Sequence, residues 1–165
     1  MDVKLKEYDV FVDLDGVIAA FDRRVLDIFG KPVHAFESKK EFWKRLTEHD
    51  SHVEKFFRYL PKMPDADDLI NHLKTLGCRS LQFLTASGYT PSDAGQQKTE
   101  WSREHYPFMD CIVVRKSADK AKYAHEKAIL IDDRDKSIIP WVEAGGIGIL
   151  HKSASDTIKK LEELF

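Results

Sequence analysis

The sequence predicts a single α/β domain whose core is a doubly wound parallel sheet of about five strands. Short apolar, β-branched runs alternate along the chain with longer segments of helical periodicity, a pattern typical of strand–helix–strand units. The 165 residues suffice to bury one hydrophobic core, and a composition of 42% hydrophobic and 33% charged residues is that of a globular protein. A helical stretch between the first two apolar runs breaks the alternation and predicts an insertion.

Each predicted strand is a short apolar run bounded by polar residues or glycine. The first run ends in Asp13, Asp15 and Gly16, and the fourth ends in Asp132 and Asp133. The runs cover residues 8–15, 80–85, 111–114, 128–132 and 146–150. Because both faces of these runs are apolar, we expect the strands to be buried within a parallel sheet.

Helical segments are predicted between these runs from their apolar periodicity and their end signals. They cover residues 65–76, 91–105, 136–144 and 153–164. The first of them stops at Gly77 and the third at Gly145. Strands that are joined through helices run parallel, and ligands of such sheets bind beyond the carboxyl ends of the strands. We therefore expect Asp13, Thr85 and Asp132 to converge on one site.

Residues 17–61 carry two or three amphipathic helical segments in place of a strand. We predict that they form a small helical cap over the carboxyl ends of the strands, inserted into an α/β core made of residues 1–16 and 62–165. Most aromatic residues of the cap are expected to fill its own small core, because apolar periodicity usually means burial. These residues are Phe21, Phe29, Phe36, Phe42, Trp43, Phe56, Phe57 and Tyr59.

The charge balance and hydropathy of the chain argue against several classes of protein. The formal net charge of −2 gives no basic excess, so binding along an extended nucleic acid is not expected. No apolar run approaches the ~20 residues that span a bilayer, and the first residues lack the apolar core of a signal peptide. We therefore expect no membrane association and a cytoplasmic location. Cys78 and Cys111 are expected to be small buried thiols rather than a disulfide.

Two acidic clusters at strand ends are the strongest chemical signal. In the segment DLDGV that starts at Asp13, the carboxylates of Asp13 and Asp15 point the same way on an extended chain, and the glycine allows a sharp turn. Asp132 and Asp133 end a second buried strand. Paired acids at a buried strand end are costly unless a cation holds them. Mg²⁺ fits, because it takes oxygen ligands and is usually bound through one or two carboxylates.

The order of these motifs resembles that of the haloacid dehalogenase superfamily of phosphatases, which have a Rossmann-like fold. The motifs are DLDGV at 13–17, an apolar strand that ends in Thr-Ala-Ser at 85–87, a group of lysines, and Ile-Asp-Asp at 131–133. They span almost the whole chain. Within that superfamily, IDDR at 131–134 and GGIGILH at 145–151 resemble the 5'(3')-deoxyribonucleotidase branch and its small bacterial and phage relatives.

The resemblance implies an enzyme that removes phosphate from a monoester through a covalent intermediate on an aspartate. Asp13 is the implied nucleophile, and Asp15 is the implied general acid and base, which protonates the leaving alcohol and then activates water. Mg²⁺ is the implied cofactor, bound by the Asp13 carboxylate, by Asp15 through its backbone carbonyl, and by Asp132. Asp133 is expected to orient a metal-bound water.

The resemblance also implies a set of groups that bind the phosphate. Thr85 and the backbone around Ala86 and Ser87 are expected to donate hydrogen bonds to the phosphoryl oxygens, just before a helix begins. A threonine at the end of a strand is common without any function, so it is the neighbouring motifs that favour a phosphate contact here.

A lysine upstream of Asp132 is expected to neutralise the charges of the phosphoryl group and of the nucleophile. We predict Lys120 for this position, with Lys116 and Lys122 as alternatives in the same basic stretch. Lys98, on the helix that follows the second strand, matches a second lysine position of nucleotidases. An exposed position on the helix surface is an equally good interpretation of Lys98.

The predicted reaction is Mg²⁺-dependent hydrolysis of nucleoside monophosphates, in particular deoxyribonucleotides. Phe21, Phe42 and Trp43 of the cap are predicted to stack on the base. The alternatives are a phosphatase of another small phosphomonoester, a phosphatase of nucleic-acid ends, and a non-catalytic module that binds a phosphorylated ligand. An end-processing enzyme would need an open cap and a basic channel. A binding module would be expected to lack one of the acids described above, and all of them are present.

Overall fold

Five strands form one parallel sheet within residues 5–165, the part of the chain that the computed structural model describes. They are β1 (Asp9–Val12), β2 (Ser80–Ala86), β3 (Asp110–Val114), β4 (Ala128–Asp132) and β5 (Ile147–Leu150). Their order across the sheet is β3-β2-β1-β4-β5, with every neighbouring pair parallel. The α/β fold and the parallel sheet predicted from the sequence are confirmed.

The strand order creates a topological switch point beside β1. The chain moves outward from β1 through β2 to β3, and then returns to the other side of β1 to form β4 and β5. Val12, the last residue of β1, pairs with Phe83 on one side and with Ile131 on the other. Ligands of doubly wound sheets bind in the crevice at such a point, beyond the carboxyl ends of the strands. The residues after Val12 therefore open onto the predicted site.

Helices connect and flank the strands. The α-helices in the described residues are α1 (Phe21–Phe29), α2 (Lys39–His52), α3 (Ala66–Thr75), α4 (Ala94–His105), α5 (Asp135–Glu143) and α6 (Ala154–Leu164). Short 3-10 helices cover Val33–Ala35, Phe57–Tyr59 and Ser117–Tyr123. Helices α1 and α2 lie between β1 and α3, where the sequence predicts an insertion. We call residues 17–61 the helical insertion.

Side chains at the helix ends explain where several helices start and stop. Ser38 and Ser153 cap α2 and α6, where their hydroxyls accept the backbone N–H groups of Glu41 (3.0 Å) and Asp156 (3.1 Å). Each such cap stabilises a helix by about 1 kcal/mol. Helix α1 ends at Gly30, whose positive φ of 74° is a conformation that glycine adopts without strain.

The sheet is buried on both faces. In β1, Val10 and Val12 belong to a large apolar cluster on one face, and Phe11 between them belongs to a smaller cluster on the other. Helices α3, α4 and α6 contribute to the larger cluster, and Trp141 of α5 contributes to the smaller one. Burial of each such side chain stabilises the fold by about 1.5–3 kcal/mol. This two-sided burial is why the predicted strands read as continuous apolar runs.

The helical insertion packs through its aromatic side chains and is attached to helix α4. The rings of Phe36 and Phe42 meet edge to face at 5.2 Å. Asp50, near the end of α2, is buried, and its Oδ1 accepts hydrogen bonds from the Phe56 N–H (2.8 Å) and from Gln97 Nε2 on α4 (3.0 Å). A buried carboxylate that is satisfied in this way fixes the end of the insertion against the α/β core.

Several element ends differ from those predicted. The first strand stops at Val12 rather than continuing through Asp15, because the chain turns once the acidic residues begin. Helix α4 begins at Ala94 rather than at Pro91, since the residues before it form a turn closed by the Ala94 N–H and the Pro91 carbonyl (3.1 Å). The 3-10 helix Ser117–Tyr123 was not predicted, because a short polar segment carries no periodicity of its own.

Cys78 and Cys111 are free thiols, as predicted, although each is half-buried rather than fully enclosed. Burial raises the pKa of both thiols. Across residues 5–165, no helix has the length and apolar character needed to cross a bilayer.

Candidate active site

The carboxyl edge of the sheet brings together the acids that the sequence singles out. Asp13 directly follows β1, and its N–H donates to the Ile131 carbonyl (2.9 Å), which keeps it aligned with the neighbouring strand. Asp132 is the last residue of β4 and is fully buried, and Thr85 lies near the end of β2. Three separate strands therefore deliver one side chain each to the same edge.

Lys120 forms the centre of this cluster. Its Nζ donates to Asp13 Oδ1 (3.0 Å) and to Asp132 Oδ2 (2.6 Å), and the residue is only 2% exposed. Burial would by itself lower the pKa of Lys120, but the two carboxylates outweigh it and raise the pKa to about 12. Lys120 is therefore a permanent positive charge at neutral pH. Burial also raises the pKa of Asp13, against the opposing charge of Lys120.

Asp133 adds a third carboxylate to the cluster. Asp13, Asp132 and Asp133 each offer an oxygen, and these three oxygens lie within 4.8 Å of one another. Burial, followed by the charges of Asp13 and Asp132, raises the pKa of Asp133 to about 8. Its Oδ1 is buried and has no hydrogen-bond partner among the residues that the structure describes. Lys120 balances only part of this negative charge, so the donor set fits a hard divalent cation such as Mg²⁺.

Gly16 shapes the turn that lets Asp133 approach. Its φ is 85°, a region that residues with a side chain rarely adopt. A Cβ built on Gly16 would lie 2.1 Å from Asp133 Oδ2, which is far inside contact distance. The glycine of the DLDGV motif is therefore required both by the backbone and by its acidic neighbour.

We predict that Gly16→Ala lowers the free energy of unfolding by about 2–5 kcal/mol, since it combines backbone strain with a steric clash. Gly30→Ala is the matched control, because Gly30 also has a positive φ but an added Cβ would meet nothing within 4 Å. The control should lose only the strain contribution of about 1–2 kcal/mol. Urea unfolding of both variants measures the difference. Equal losses in the free energy of unfolding would show that the Asp133 side chain does not clash with a Cβ at position 16.

Asp15 contacts a second buried lysine. Lys98 Nζ donates to Asp15 Oδ2 (2.9 Å) and to the Ala86 carbonyl (2.7 Å), and it lies 3.5 Å from Thr85 Oγ1. Lys98 is 4% exposed, and the ring of Phe57 from the helical insertion lies 4.6 Å from its ammonium group. The interpretation of Lys98 as a lysine on the exposed helix surface is wrong. Its side chain crosses beneath the insertion and reaches the site.

The end of β2 departs from expectation in one respect. Thr85 is buried with its hydroxyl beside Lys98, but the Ser87 N–H already donates to the Val114 carbonyl of β3 (2.8 Å). The Ser87 N–H is therefore already used within the sheet, because the parallel pairing of β2 and β3 continues one residue beyond the strand, and phosphate contacts of Thr85 and of the backbone around Ala86 and Ser87 stay a prediction. The Ser87 hydroxyl, which donates to the Gly88 carbonyl (3.0 Å), lines the cavity described next.

The two alternative lysines are placed differently from Lys120. Lys116 and Lys122 are exposed, and neither contacts a carboxylate of the cluster. The 3-10 helix Ser117–Tyr123 turns Lys120 inward. Spacing in the sequence could not separate the three lysines, because it does not reveal this local backbone geometry.

A cavity of about 600 Å³ lies between the sheet edge and the helical insertion. Phe21, Phe42 and Trp43 line it from the insertion, and Asp15 and Asp133 line it from the α/β core. Trp43 is 37% exposed, whereas Phe42 is almost fully buried within the aromatic cluster of the insertion. The cavity wall also includes residues without a predicted role: Lys39, Tyr89, Arg115, Arg134 and Lys136. Tyr89, Arg115, Arg134 and Lys136 lie near the motifs in the sequence, whereas Lys39 has no such signal.

Comparisons with known proteins agree with this geometry. A family model described as "5' nucleotidase, deoxy (Pyrimidine), cytosolic type C protein" matches residues 7–160. A hydrolase from Streptococcus pneumoniae TIGR4 is similar at 16% identity and a TM-score of 0.58, over 95% of this chain and 99% of that chain. A HAD family hydrolase from Deinococcus radiodurans R1, solved with bound phosphate and sodium, is 12% identical with a TM-score of 0.53, over 95% and 89% of the two chains. These structural likenesses show the fold. No curated protein matches the sequence.

Proposed function

The chain belongs to the family of the 5' nucleotidase, deoxy (pyrimidine), cytosolic type C protein within the haloacid dehalogenase superfamily, and from this premise we propose that it hydrolyses nucleoside monophosphates at Asp13. The observation that carries the proposal is the contact of Lys120 with both Asp13 and Asp132, beside a cavity of about 600 Å³ whose wall includes Asp15 and Asp133. The haloacid dehalogenase phosphatase class follows from the family. The nucleotide substrate and the roles of individual residues are what we propose.

In the first chemical step, an oxygen of Asp13 attacks the phosphorus atom and the bond to the leaving alcohol breaks. Asp15, two residues along the chain, gives its proton to the leaving oxygen. In the second step, water attacks the same phosphorus, Asp15 takes up the proton, and the carboxylate of Asp13 leaves. Inorganic phosphate is released and both aspartates return to their starting states.

The positive charges around the cluster stabilise the negative charges of Asp13 and of the phosphoryl group. Lys120 attracts the negative charge of Asp13 and would attract the phosphoryl oxygens, so two groups that repel each other can meet. Lys98 holds the Asp15 side chain at the cavity wall, within reach of Thr85. We propose the Thr85 hydroxyl as an uncharged donor to a phosphoryl oxygen at this strand end.

We propose Asp13, Asp132 and Asp133, with the backbone carbonyl of Asp15, as the residues that hold Mg²⁺. When bound there, Mg²⁺ supplies positive charge that neutralises the carboxylates and the phosphate. The buried Oδ1 of Asp133, which lacks a hydrogen-bond partner among the described residues, is the observation that most directly favours such a cation. Each of these acids must be ionised to serve as a ligand, and because burial raises the pKa of Asp13 and of Asp133, protons should compete with the metal and weaken its binding as the pH falls.

Phe21 and Trp43 are the proposed contacts for the base of the nucleotide. Both line the cavity from the insertion, opposite the acidic cluster, and Trp43 keeps an exposed part of its ring. Phe42 supports these two rings from behind, at centroid distances of 6.1 Å from Phe21 and 5.1 Å from Trp43. Stacking on aromatic rings tolerates any base, so these contacts would favour nucleotides over sugar phosphates without choosing among bases.

The test is phosphate release from deoxyribonucleoside and ribonucleoside monophosphates, sugar phosphates and p-nitrophenyl phosphate, with kcat/KM measured for each. We expect Mg²⁺-dependent release with nucleotides preferred. Trp43→Ala should lower kcat/KM for nucleotides by about tenfold and leave p-nitrophenyl phosphate less affected, because stacking on a base contributes about 1–3 kcal/mol. A preference for sugar phosphates would contradict the nucleotide assignment.

Metal binding should also be visible without turnover. We predict that Mg²⁺ raises the Tm of the wild type by about 5 °C relative to EDTA, because a ligand that binds only the folded state stabilises it. Asp133→Asn should be more stable than the wild type in EDTA at neutral pH. The pKa of Asp133 is raised to about 8 in the folded state. Between about pH 4 and pH 8 the unfolded chain therefore loses this proton while the folded protein keeps it, so the free energy of unfolding falls as the pH rises. Thermal unfolding in EDTA and in Mg²⁺ measures both effects, and an undiminished Mg²⁺ response in Asp133→Asn would exclude Asp133 from the metal site.

A further inference from the structure

The core side of the cavity carries four basic residues that the reaction at Asp13 does not use. They are Arg115, Lys116, Arg134 and Lys136, and we call them the basic rim. Three of them, Lys116, Arg134 and Lys136, also line an adjoining surface cavity of about 600 Å³. The basic rim therefore extends from the active-site cavity outward along the protein surface.

The side chains of the basic rim lack acidic partners. Within residues 5–165, none of the four forms a salt bridge, as is also true of Lys40 and Lys44, whereas Lys55 pairs with Asp93 (2.9 Å). The cavity is lined by six lysine and arginine residues against three aspartates. In a chain with a net charge of −2, this local excess sets the cavity apart from the rest of the surface. Because no salt bridge neutralises the side chains of the basic rim, they contribute a local positive potential to this side of the cavity.

The scissile phosphate does not need these charges. Its binding groups lie deeper, where Lys120 is held by Asp13 and Asp132, and Lys98 by Asp15. Both buried lysines are fixed on the acidic cluster, whereas the rim residues are exposed. A mononucleotide whose phosphate occupies the deep site would leave the basic rim without an anion.

One member of the basic rim, Arg115, contacts the loop that follows β2. Its guanidinium lies 4.8 Å from the centre of the Tyr89 ring, and its Nη1 lies 3.5 Å from the Gly88 carbonyl. These contacts leave part of the planar guanidinium free to bind two oxygens of one phosphate group. Arg134 joins β4 to α5, next to the acidic cluster, so the basic rim begins directly beside the site of reaction.

We propose that the basic rim binds a second phosphate group of the substrate, so that the preferred substrate is a nucleotide with a phosphate in addition to the one that is removed. This inference rests on the proposed function and narrows its substrate class. The second phosphate is either a further monoester, as in a nucleoside 3',5'-bisphosphate, or the diester that follows a phosphorylated nucleic-acid end. The net charge of the whole chain does not reveal such a site, because the excess of positive charge is confined to one side of one cavity.

The experiment compares three substrates in two charge-matched double variants. Lys116→Ala/Lys136→Ala removes two charges from the basic rim, and Lys40→Ala/Lys44→Ala removes two charges from exposed positions of α2 that line neither cavity. The substrates are a deoxynucleoside 5'-monophosphate, the corresponding 3',5'-bisphosphate and a 5'-phosphorylated dinucleotide. The readouts are kcat/KM in Mg²⁺ and, independently of turnover, Kd by calorimetry in the Asp13→Asn background.

We expect the wild type to favour at least one of the doubly phosphorylated ligands over the monophosphate by about tenfold, and the rim variant to lose that preference. The compound with the larger preference distinguishes a bisphosphate from a nucleic-acid end. Equal losses for all three ligands would mean that the basic rim only steers anions toward the site, and the proposal would be overturned. No preference in the wild type would overturn it as well.

Failure of the proposed function gives a different result. In that case no nucleotide is hydrolysed, and the Kd values measured in the Asp13→Asn background still decide whether the second phosphate is bound. Tighter binding of a doubly phosphorylated ligand that the rim variant loses supports the basic rim on its own. Equal Kd values for the monophosphate and the doubly phosphorylated ligands reject it.

Discussion

Asp13→Asn is expected to lower kcat by about 10⁴-fold or more with every phosphomonoester, because an amide oxygen is a poor nucleophile and the covalent step disappears. Fold and stability should be kept, since the change is isosteric and removes one of three crowded carboxylates. Phosphate release under saturating substrate measures the loss. Asp27→Asn on helix α1, where the carboxylate is exposed and pairs only with Arg23 (3.6 Å), is the control and should retain activity within about twofold.

The covalent intermediate can be sought directly in the wild type. Acid quenching during turnover, followed by mass spectrometry of proteolytic fragments, should find a phosphoryl group on the peptide that contains Asp13 and none in Asp13→Asn. Phosphate release by Asp13→Asn at more than about a hundredth of the wild-type rate would assign the nucleophile to another group. A phosphorylated peptide from elsewhere in the chain would do the same.

Lys120→Met is expected to have the second large effect, on both activity and stability. Loss of the charge that Asp13 and Asp132 share should lower kcat by about 10²–10³-fold, as for other preorganised electrostatic groups. In EDTA, the free energy of unfolding should fall by about 3–5 kcal/mol, because two buried carboxylates lose their counter-charge. Part of this loss should return in Mg²⁺, since a bound divalent cation balances the same carboxylates.

Lys122→Met is the matched control for Lys120→Met. Lys122 lies in the same 3-10 helix, two residues away, but its side chain is exposed. We expect a change within about 0.5 kcal/mol in stability and nearly wild-type turnover. Urea unfolding and steady-state kinetics of the two variants, side by side, decide which lysine serves the site, and a larger loss for Lys122→Met would reverse the assignment.

Most of the fold could be predicted because its signals are local. Each strand is a continuous apolar run, and the alternation of runs with helical segments leaves few topologies other than a parallel sheet. Once the strands are parallel, their carboxyl ends meet at one edge, so the convergence of Asp13, Thr85 and Asp132 follows without knowledge of the strand order. The strand order itself, with β1 at the centre, cannot be read from the runs.

The details that escaped prediction depend on local backbone geometry and on long-range packing. Lys120 is distinguished from its neighbours only by the turn of a short 3-10 helix, and Lys98 is buried only because the insertion folds over α4. The engagement of the Ser87 N–H depends on how far the pairing of β2 with β3 extends. The basic rim was not predicted, because the net charge is a sum over the whole chain. Binding of an anion depends instead on the charges within a few ångströms of the site.

The attachment of the insertion to helix α4 has a consequence for protein engineering. Gln97, which binds Asp50 of the insertion, is the immediate neighbour of Lys98, which binds Asp15. We therefore expect a chimaera that receives the equivalent of residues 17–61 from a relative to need an acceptor at the position of Asp50, so that helix α4 keeps its hydrogen bond to the insertion. Neighbouring residues of helix α4 thus contact the insertion and the proposed catalytic acid, so libraries that diversify the insertion should leave Asp50 and Gln97 unchanged.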